Sequence, residues 1–377
     1  MKKVICRYSE IALKKGNRAF FEKTLILNIK RVLDCSAIRL SGRILITTNE
    51  SEKEIKEKLT KVIGLSSFSL VNETKTDLKS IQEQSLKSMN FNFKKFRVSC
   101  RRSQKDFPFS SQEINRKVGE YILKNKKDVK VDLENPEAVC YIEIVNKDVF
   151  VSTEKIKGIN GLPVGSSGKA VSLISGGIDS PVASFQAMKR GLKLSFVHCH
   201  SYPETTQFSI NKVKEIVKIL SSYQGKSTLY LVPVSSIQKK INLEIDEKLR
   251  VVFLRLMMLK IAERIAEKEK SLAIITGDSL GQVASQTVEN LSVTSQKINK
   301  LIIRPLVCYD KESIVKQAKE IGTFETSILP YEDCCARFLP LKPETKAKVK
   351  DLDYQEKRVN IEEMINSSLE KTEIIMI

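Results

Sequence analysis

From residue 171 onward, short apolar runs alternate with longer segments whose apolar positions recur at helical spacing. The apolar runs predict strands at 171–175, 192–199, 227–233, 271–276 and 301–304. Helices are predicted between these strands, including a long one over about 237–269, and residues 343–377 have a polar, helical pattern. Regular alternation of strands and helices is typical of a parallel sheet covered by helices on both faces. The pattern therefore predicts an α/β domain over 166–377.

The first half of the chain has shorter elements and no regular alternation. Strand patterns occur at 4–8, 37–48 (two strands around Ser41-Gly42), 66–71, 96–102 and 141–151. Helical patterns occur at 17–33, 52–62, 76–89 and 110–126. This mixture predicts two α+β modules, at 1–50 and 51–165, and the glycine-rich segment 158–168 separates them from the α/β domain.

One strand, turn and helix stand out at Val171–Ala183, with the sequence VSLISGGIDSPVA. Ser180 and Pro181 suit the N-cap and the first turn of a helix. Gly176 and Gly177 let the backbone approach a phosphate, while the helix N-terminus attracts an anion and the Ser175 and Ser180 hydroxyls can donate to it. Asp179 would repel a bare phosphate, so it indicates a magnesium ion or an orienting role.

This loop differs from two common phosphate-binding motifs, because it lacks the lysine of GxxxxGK[ST] and the spacing of GxGxxG. The hexapeptide SGGIDS resembles the pyrophosphate loop of ATP pyrophosphatases, which transfer AMP to an oxygen and release pyrophosphate. A turn with only a structural role is the alternative.

Two further strand ends carry candidate residues, because ligands bind at the carboxyl ends of parallel strands. His198 and His200 share one face of a strand, and a zinc site is conceivable there, but Cys199 should point the other way. A contribution of these residues to a nucleotide pocket is favoured. Gly277 follows another strand, and a helix predicted after it would place Gln282 and Gln286 on one face, where they could bind a base or ribose.

Arg255 lies in an apolar helical stretch, so its guanidinium needs a partner. Either a structural salt bridge or a nucleotide phosphate would serve.

The net charge of +19 is uneven along the chain. Residues 1–170 have 34 basic and 20 acidic side chains, against 30 and 25 in the remainder. Such an excess favours a polyanionic partner such as nucleic acid, although general lysine usage is an alternative. The densest basic cluster near aromatic residues predicts RNA contacts, or else a solvated strand edge, at Lys94, Lys95, Arg97, Arg101, Arg102 and Lys105.

Cysteine usage and hydropathy suggest a cytoplasmic protein. No run of 18 apolar residues occurs, the start is too short for a signal peptide, and the eight cysteines are scattered.

Cys334 and Cys335 are adjacent in a predicted loop, a better redox position than a strand, but acidic neighbours should raise their pKa.

Taken together, six stretches resemble the tRNA 4-thiouridine synthetase (tRNA sulfurtransferase) family. They are RYSEIALK at 7–14 with Asn17-Arg18, RR at 101–102 with KDFP at 105–108, GLPVG at 161–165, SGGIDSPVA at 175–183, GDSLGQVASQ at 277–286 with ENL at 289–291, and YEDCC at 331–335. The chain departs from the family at Ser9, where glycine is usual, so we expect a negative φ there.

The resemblance implies a ferredoxin-like domain (1–50), an RNA-binding THUMP domain (51–165) and a pyrophosphate-loop catalytic domain (166–377). It implies that ATP, with Mg²⁺, adenylates C4 of uridine 8 in tRNA, and that a persulfide sulfur then displaces AMP. Asp179 would be the essential carboxylate. The residues implied to bind ATP are Leu173, Ile174, Ser175, Gly176, Gly177, Asp179, Ser180, His198, Cys199, Arg255, Gly277 and Gln286.

The sulfur route has alternatives. Some family members carry a C-terminal rhodanese domain, and this chain is expected to be the form without it. A cysteine desulfurase would then deliver persulfide directly, or Cys334, with Cys335 as the second choice, would accept it. The resemblance leaves the oligomeric state open, a homodimer included. Competing functions are a 2-thiolase, a lysidine-type ligase and a non-catalytic tRNA-binding protein.

Overall fold

The computed structural model describes residues 1–103, 107–330, 340 and 342–377. The chain forms two compact units, Met1–Pro163 and Val164–Ile377. The division falls within the glycine-rich segment 158–168.

The strands of the first unit form one twisted, mostly antiparallel sheet. They are β1 (Lys2–Arg7), β2 (Ser36–Leu40), β3 (Arg43–Thr48), β4 (Ser67–Thr74), β5 (Lys95–Arg102), β6 (Lys130–Val131), β7 (Ala138–Val145), β8 (Asp148–Ser152) and β9 (Ile156–Lys157). Their order is β2-β3-β1-β4-β8-β7-β5-β6, and β9 pairs with β4. Among the pairings described for this unit, those of β5 with β6 and β7 are parallel and the others are antiparallel.

Four helices of this unit pack their apolar stripes against the sheet. They are α1 (Arg18–Val32), α2 (Glu52–Leu59), α3 (Leu78–Ser88) and α4 (Ser111–Asn125). One core holds α1 and α2 and runs from Val4 to Phe68, and another holds α3 and α4. The division of this unit into two domains, 1–50 and 51–165, remains a prediction.

Two local features of this unit bear on the sequence predictions. The single strand expected over 141–151 is wrong, because the chain reverses at Asn146, whose φ of 56° is in the left-handed region that asparagine tolerates. The two halves, β7 and β8, pair as an antiparallel hairpin. Ser9 has a φ of −111°, which confirms the expected negative value.

The second unit contains the predicted parallel sheet. Its strands are β10 (Lys169–Leu173), β11 (Lys193–His200), β12 (Thr228–Pro233), β13 (Ala273–Ile275), β14 (Leu301–Ile303) and β15 (Glu373–Met376). The order is β14-β13-β10-β11-β12-β15. Strand order therefore reverses at β10, between β11 and β13, which is the topological switch point where such sheets bind ligands.

Helices cover this sheet and leave its strand ends open. They are α5 (Asp179–Lys189), α6 (Gln207–Gln224), α7 (Ser235–Glu244), α8 (Arg250–Lys268), α9 (Val288–Gln296), α10 (Lys311–Glu320), α11 (Phe324–Ser327), α12 (Val349–Glu356) and α13 (Ile361–Glu370). The predicted long helix over 237–269 is wrong, because the chain is extended at Ile245 and divides it into α7 and α8. Asp246 there binds Gln355 and Arg358, so the break is fixed by residues far along the chain.

The C-terminal stretch is more than a polar helical tail. Leu352, Met364 and Ile365 are buried in the core of the second unit. The last strand, β15, adds to the sheet edge antiparallel to β12. Among the described residues, no helix combines the length and apolarity needed to cross a bilayer.

Candidate nucleotide-binding site

A cavity of about 230 Å³ lies at the switch point, where β10, β11 and β13 end. Among the residues lining it are ten of the twelve predicted to bind ATP: Leu173, Ile174, Ser175, Asp179, Ser180, His198, Cys199, Arg255, Gly277 and Gln286. The remaining two, Gly176 and Gly177, lie in the loop between Ser175 and Asp179. The structure therefore brings the predicted residues together, as the strand-end argument requires.

The loop after β10 is closed by serine hydroxyls. The Ser175 amide donates to Ser180 Oγ at 2.9 Å, and the Gly177 amide donates to Ser175 Oγ at 3.2 Å. Ser180 is not the N-cap that the sequence predicted, because α5 already begins at Asp179 and no side chain caps it. The Ser180 hydroxyl contacts the amide and the hydroxyl of Ser175 instead, and these contacts stabilise the turn.

Gly277, directly after β13, touches the start of α5. A Cβ atom at this position would lie 2.8 Å from both the Cα and the amide nitrogen of Ser180. These are backbone atoms and cannot rotate away. Only glycine lets the end of β13 pack this closely on the loop.

We expect Gly277→Ala to displace the loop and to abolish pyrophosphate release, because relieving the overlap requires backbone movement that costs about 1–3 kcal/mol. Radiolabelled pyrophosphate release and thermal unfolding would measure the two effects. Gly119→Ala is the matched control, since Gly119 lies inside α4 with open space around it and alanine favours a helix. Normal activity of Gly277→Ala would contradict this role.

Asp179 has two partners that the sequence analysis did not assign to it. Gln282 Nε2 donates to one carboxylate oxygen at 2.9 Å, and Lys311 Nζ contacts the other at 2.6 Å. Lys311 is the first residue of α10, which follows β14. The signal that could have found Lys311 is its position, since it follows the last parallel strand of the same sheet.

The helix predicted to carry Gln282 and Gln286 is not present. The helix α9 begins only at Val288. Gln282 lies in the loop after β13 and Gln286 ends a short 3₁₀ helix (Ala284–Gln286), so the two do not share a helix face. Gln286 Nε2 faces Asp278 Oδ1 at 3.4 Å. Its Oε1 atom is buried and has no hydrogen-bond partner among the described residues. A buried acceptor without a partner is costly, so this atom is suited to a ligand donor.

A buried ionic network supports one wall of the cavity. Asp278, 3% exposed, binds Arg255 and accepts from Arg304 Nε at 3.1 Å and from Thr276 Oγ1 at 2.7 Å. Burial raises the pKa of Asp278, but Arg255, the Thr276 hydroxyl and Arg304 outweigh it and hold the pKa below its ordinary value. Of the two partners expected for Arg255, a salt bridge or a nucleotide phosphate, the structure shows the salt bridge, with Asp278. Arg255 also lines the cavity.

His198 and His200 lie near each other at the end of β11, with ring centroids 6.3 Å apart. His198 Nδ1 is 3.0 Å from the Ile174 carbonyl oxygen, so in the neutral ring Nδ1 carries the proton. Burial, with a smaller contribution from His198, lowers the pKa of His200 to about 4. His200 is therefore neutral at pH 7.

A second group of candidate residues lies on the sheet of the first unit. Lys95, Arg97, Ser99 and Arg101 share one face of β5, whereas Arg102 faces the other way and binds the Phe107 carbonyl. Lys95 pairs with Asp132, and the Lys94 side chain is exposed. Of the six predicted RNA contacts, the structure therefore brings Arg97 and Arg101 together, and Lys105 lies outside the described residues.

Arg97 and Arg101 line a small cavity of about 150 Å³. The other lining residues are Arg7, Ser99, Tyr141, Glu143 and Lys155. The sequence analysis assigned none of these five to RNA. Ser99 lies on β5 between the two arginines, whereas the other four come from β1, β7 and the segment between β8 and β9, which only the fold brings to β5.

The cavity is strongly cationic. Its one carboxylate, Glu143, is buried and already bound by Arg7 and Arg43. Burial, then the positive charges of Arg7 and Arg101, lower the pKa of Lys155. Arg97 Nε is buried and has no partner in the described part of the chain. An anion in this cavity would relieve the mutual repulsion of these cations.

Cys334 and Cys335 lie outside the described residues. Among the cysteines that the structure describes, only Cys308 is exposed.

Comparisons with known proteins agree along the whole chain. Residues 165–361 match the family described as "Thiamine biosynthesis protein (ThiI)", residues 3–69 match the ThiI ferredoxin-like domain, and residues 72–154 match the THUMP domain. A probable tRNA sulfurtransferase from Acetivibrio thermocellus is 42% identical over 100% of this chain and 99% of its own length. One from Bacillus pumilus is 40% identical over 99% of this chain and 95% of its own length.

Two solved structures are similar to this chain over most or all of its length. A crystal structure of a 4-thiouridine synthetase–RNA complex with bound ATP is 36% identical, covers 100% of both chains and superposes with a TM-score of 0.91. A protein from Pyrococcus horikoshii is 27% identical, with a TM-score of 0.64 over 85% of this chain and 100% of its own. The chain therefore belongs to the ThiI family of tRNA sulfurtransferases.

Proposed function

We propose that this protein is an ATP-dependent tRNA sulfurtransferase that converts uridine 8 of tRNA to 4-thiouridine. The observation that carries the proposal is the cavity in which the SGGIDS loop places Asp179 at the start of α5, facing Lys311. The similarity to a 4-thiouridine synthetase with bound ATP supports the choice of nucleotide.

The lining of the cavity favours one orientation of ATP. Leu173, Val197, Met258 and Leu259 form an apolar part suited to adenine, and the buried Gln286 Oε1 can accept from its amino group. The phosphates then lie against the serine hydroxyls and the N-terminus of α5, whose dipole favours negative charge.

Asp179 and Lys311 form an ion pair beside the place proposed for the phosphates. With ATP bound, the Lys311 ammonium would contact phosphate oxygens, and Asp179 would be available to a cation. The donor set fits magnesium carried by ATP, since Mg²⁺ in such sites uses one or two carboxylates together with phosphate oxygens. When bound, that ion would neutralise charge on the departing pyrophosphate.

The chemistry requires activation before sulfur enters. The C4 oxygen of uridine is a poor leaving group, so it attacks the α-phosphorus of ATP and pyrophosphate departs. A persulfide sulfur then attacks C4 and AMP leaves with the oxygen, so that C4 is joined to the sulfur carrier through an S–S bond. A thiol attacks the carrier sulfur of that bond, so that 4-thiouridine is released and the thiol and the carrier form a disulfide. In the first step, Lys311 and the N-terminus of α5 would stabilise the charge that develops on the phosphates.

The cationic cavity on the first unit would bind phosphates of the RNA. Arginine and lysine that neutralise backbone phosphates supply most of the affinity for nucleic acid. We further propose cytoplasmic location and a cysteine desulfurase as the persulfide donor, because the second step needs sulfur that ATP and tRNA do not contain.

The Cys334→Ser variant should block sulfur transfer and leave adenylation intact, if Cys334 carries sulfur. The measurements are 4-thiouridine by nucleoside mass spectrometry and pyrophosphate release in the same reaction. Cys308→Ser is the matched control, because Cys308 is an exposed cysteine of the same unit. Full thiolation by Cys334→Ser would instead indicate direct attack by the donor's persulfide, or use of Cys335.

The proposed reaction can be separated from its alternatives by the modified nucleosides of a strain lacking the gene. Loss of 4-thiouridine alone is the expected result. Loss of a 2-thiouridine or of lysidine, with 4-thiouridine unchanged, would assign a different enzyme of the pyrophosphate-loop class. Unchanged nucleosides, with tRNA binding retained by the purified protein, would indicate a binding role.

A further inference from the structure

Asp278 is a buried carboxylate in the wall of the nucleotide cavity, and both of its oxygens are used within the protein. Its Oδ1 atom accepts from Arg255 and from Gln286 Nε2. Its Oδ2 atom accepts from Thr276 Oγ1 and from Arg304 Nε. An ionised carboxylate has about four acceptor positions, so these four contacts fill it. Asp278 therefore acts on a bound nucleotide through its partners and not by direct contact.

Gln286 is the partner whose direction Asp278 controls. Its side chain has two different polar ends, an NH2 donor and a carbonyl acceptor. An ionised carboxylate accepts hydrogen bonds and donates none, so the NH2 end must face Asp278. The other end, Oε1, is buried and has no partner among the described residues. Since Gln286 lines the cavity, the atom that it offers to a ligand is an acceptor.

The purines differ in the group that such an acceptor would meet. Adenine carries an amino group at position 6, which donates, whereas guanine and hypoxanthine carry a carbonyl oxygen there, which accepts. In the orientation proposed above for ATP, the amino group donates to Gln286 Oε1. A carbonyl in the same place would set two acceptors against each other away from water, and buried acceptors without a donor are costly.

We infer that Asp278 is a positioning residue for purine selection: it fixes the direction of the Gln286 amide, so that the cavity selects ATP over nucleotides with a 6-carbonyl group. Arg304 acts one step further out, because it binds Asp278 but is not among the residues that line the cavity. The inference rests on the proposed function, which supplies ATP and its orientation, and adds to it a basis for nucleotide choice.

The test measures the binding of ATP and of inosine triphosphate (ITP) to the purified full chain by calorimetry, without tRNA. ITP carries the 6-carbonyl group on the same ribose and phosphates. The wild-type protein should bind ATP about tenfold or more tightly than ITP. In Asp278→Asn this preference should fall at least about threefold. The amide at position 278 can donate as well as accept, so Gln286 is free to turn its NH2 group toward a carbonyl.

Met258→Ala is the matched control. Met258 belongs to the apolar part of the cavity, which is suited to either base, so its loss should weaken both nucleotides and leave their ratio unchanged. Asp278→Asn leaves two guanidinium groups facing an uncharged side chain. If that variant does not fold, the double variant Asp278→Asn/Arg304→Met removes one of these cations and is measured in the same way.

Either of two results would overturn the inference. One is a wild-type preference for ATP below about tenfold, and the other is a folded Asp278→Asn variant whose preference falls less than about threefold. A wild-type protein that binds neither nucleotide would refute the proposed function together with the inference, whereas an unchanged preference in the variant refutes the inference alone.

Discussion

The Asp179→Asn variant should lose at least about three orders of magnitude in 4-thiouridine formation and in pyrophosphate release. Asparagine keeps the size of the side chain and its contact with Gln282, but it removes the charge that faces Lys311. Binding of tRNA should be unchanged, because the cationic cavity lies in the other unit of the chain.

The measurements are single-turnover pyrophosphate release and tRNA affinity, both on folded protein. Asp128→Asn is a suitable control, since Asp128 is exposed and its φ of 58° suits asparagine. Activity within tenfold of the wild-type value would show that the Asp179 carboxylate is dispensable.

The second large effect concerns RNA affinity. Replacing Arg97, Arg101 and Lys155 together by alanine should weaken tRNA binding about a hundredfold at low salt and reduce the slope of log affinity against log salt by about 2 to 3. The reason is that all three cations line one cavity whose carboxylate is already paired. Pyrophosphate release at saturating tRNA should remain.

A control with the same change in net charge separates a specific site from a general electrostatic effect. Lys53, Lys87 and Lys124 are exposed in the same unit and do not line the cavity. Replacing these three by alanine should reduce affinity far less. Equal weakening by both triple variants would contradict a localised phosphate site.

The strands around the nucleotide cavity could be predicted from the sequence because buried parallel strands are continuous apolar runs. All five predicted strands of the α/β domain are present, with bounds shifted by at most two residues. The cavity followed from the same pattern, since residues after neighbouring strands must meet at one edge of the sheet.

The features that were missed depend on contacts across the chain. The break between α7 and α8 is held by Asp246 with Gln355 and Arg358, more than 100 residues away. No local pattern at 245–246 indicates it, because neither glycine nor proline stands there. Strand β15 was missed for a similar reason, since a four-residue edge strand is defined by its pairing with β12.

The functional residues also divide into those with a local sequence pattern and those that depend on contacts across the chain. The SGGIDS loop could be recognised because its residues are consecutive. Lys311 was not assigned to Asp179, because 132 positions separate them and the only signal for Lys311 is that it follows β14, which is two strands from β10 in the same sheet. The cationic cavity is likewise assembled from β1, β5 and β7.

The most direct test of the central claim is a single-turnover reaction of the purified protein with tRNA, ATP, magnesium and a cysteine desulfurase supplied with cysteine. Nucleoside mass spectrometry would read 4-thiouridine, and labelled ATP would report AMP and pyrophosphate. We predict 4-thiouridine at position 8, with one pyrophosphate released per modified tRNA. Binding of tRNA and ATP without any adenylated tRNA or 4-thiouridine would contradict the account.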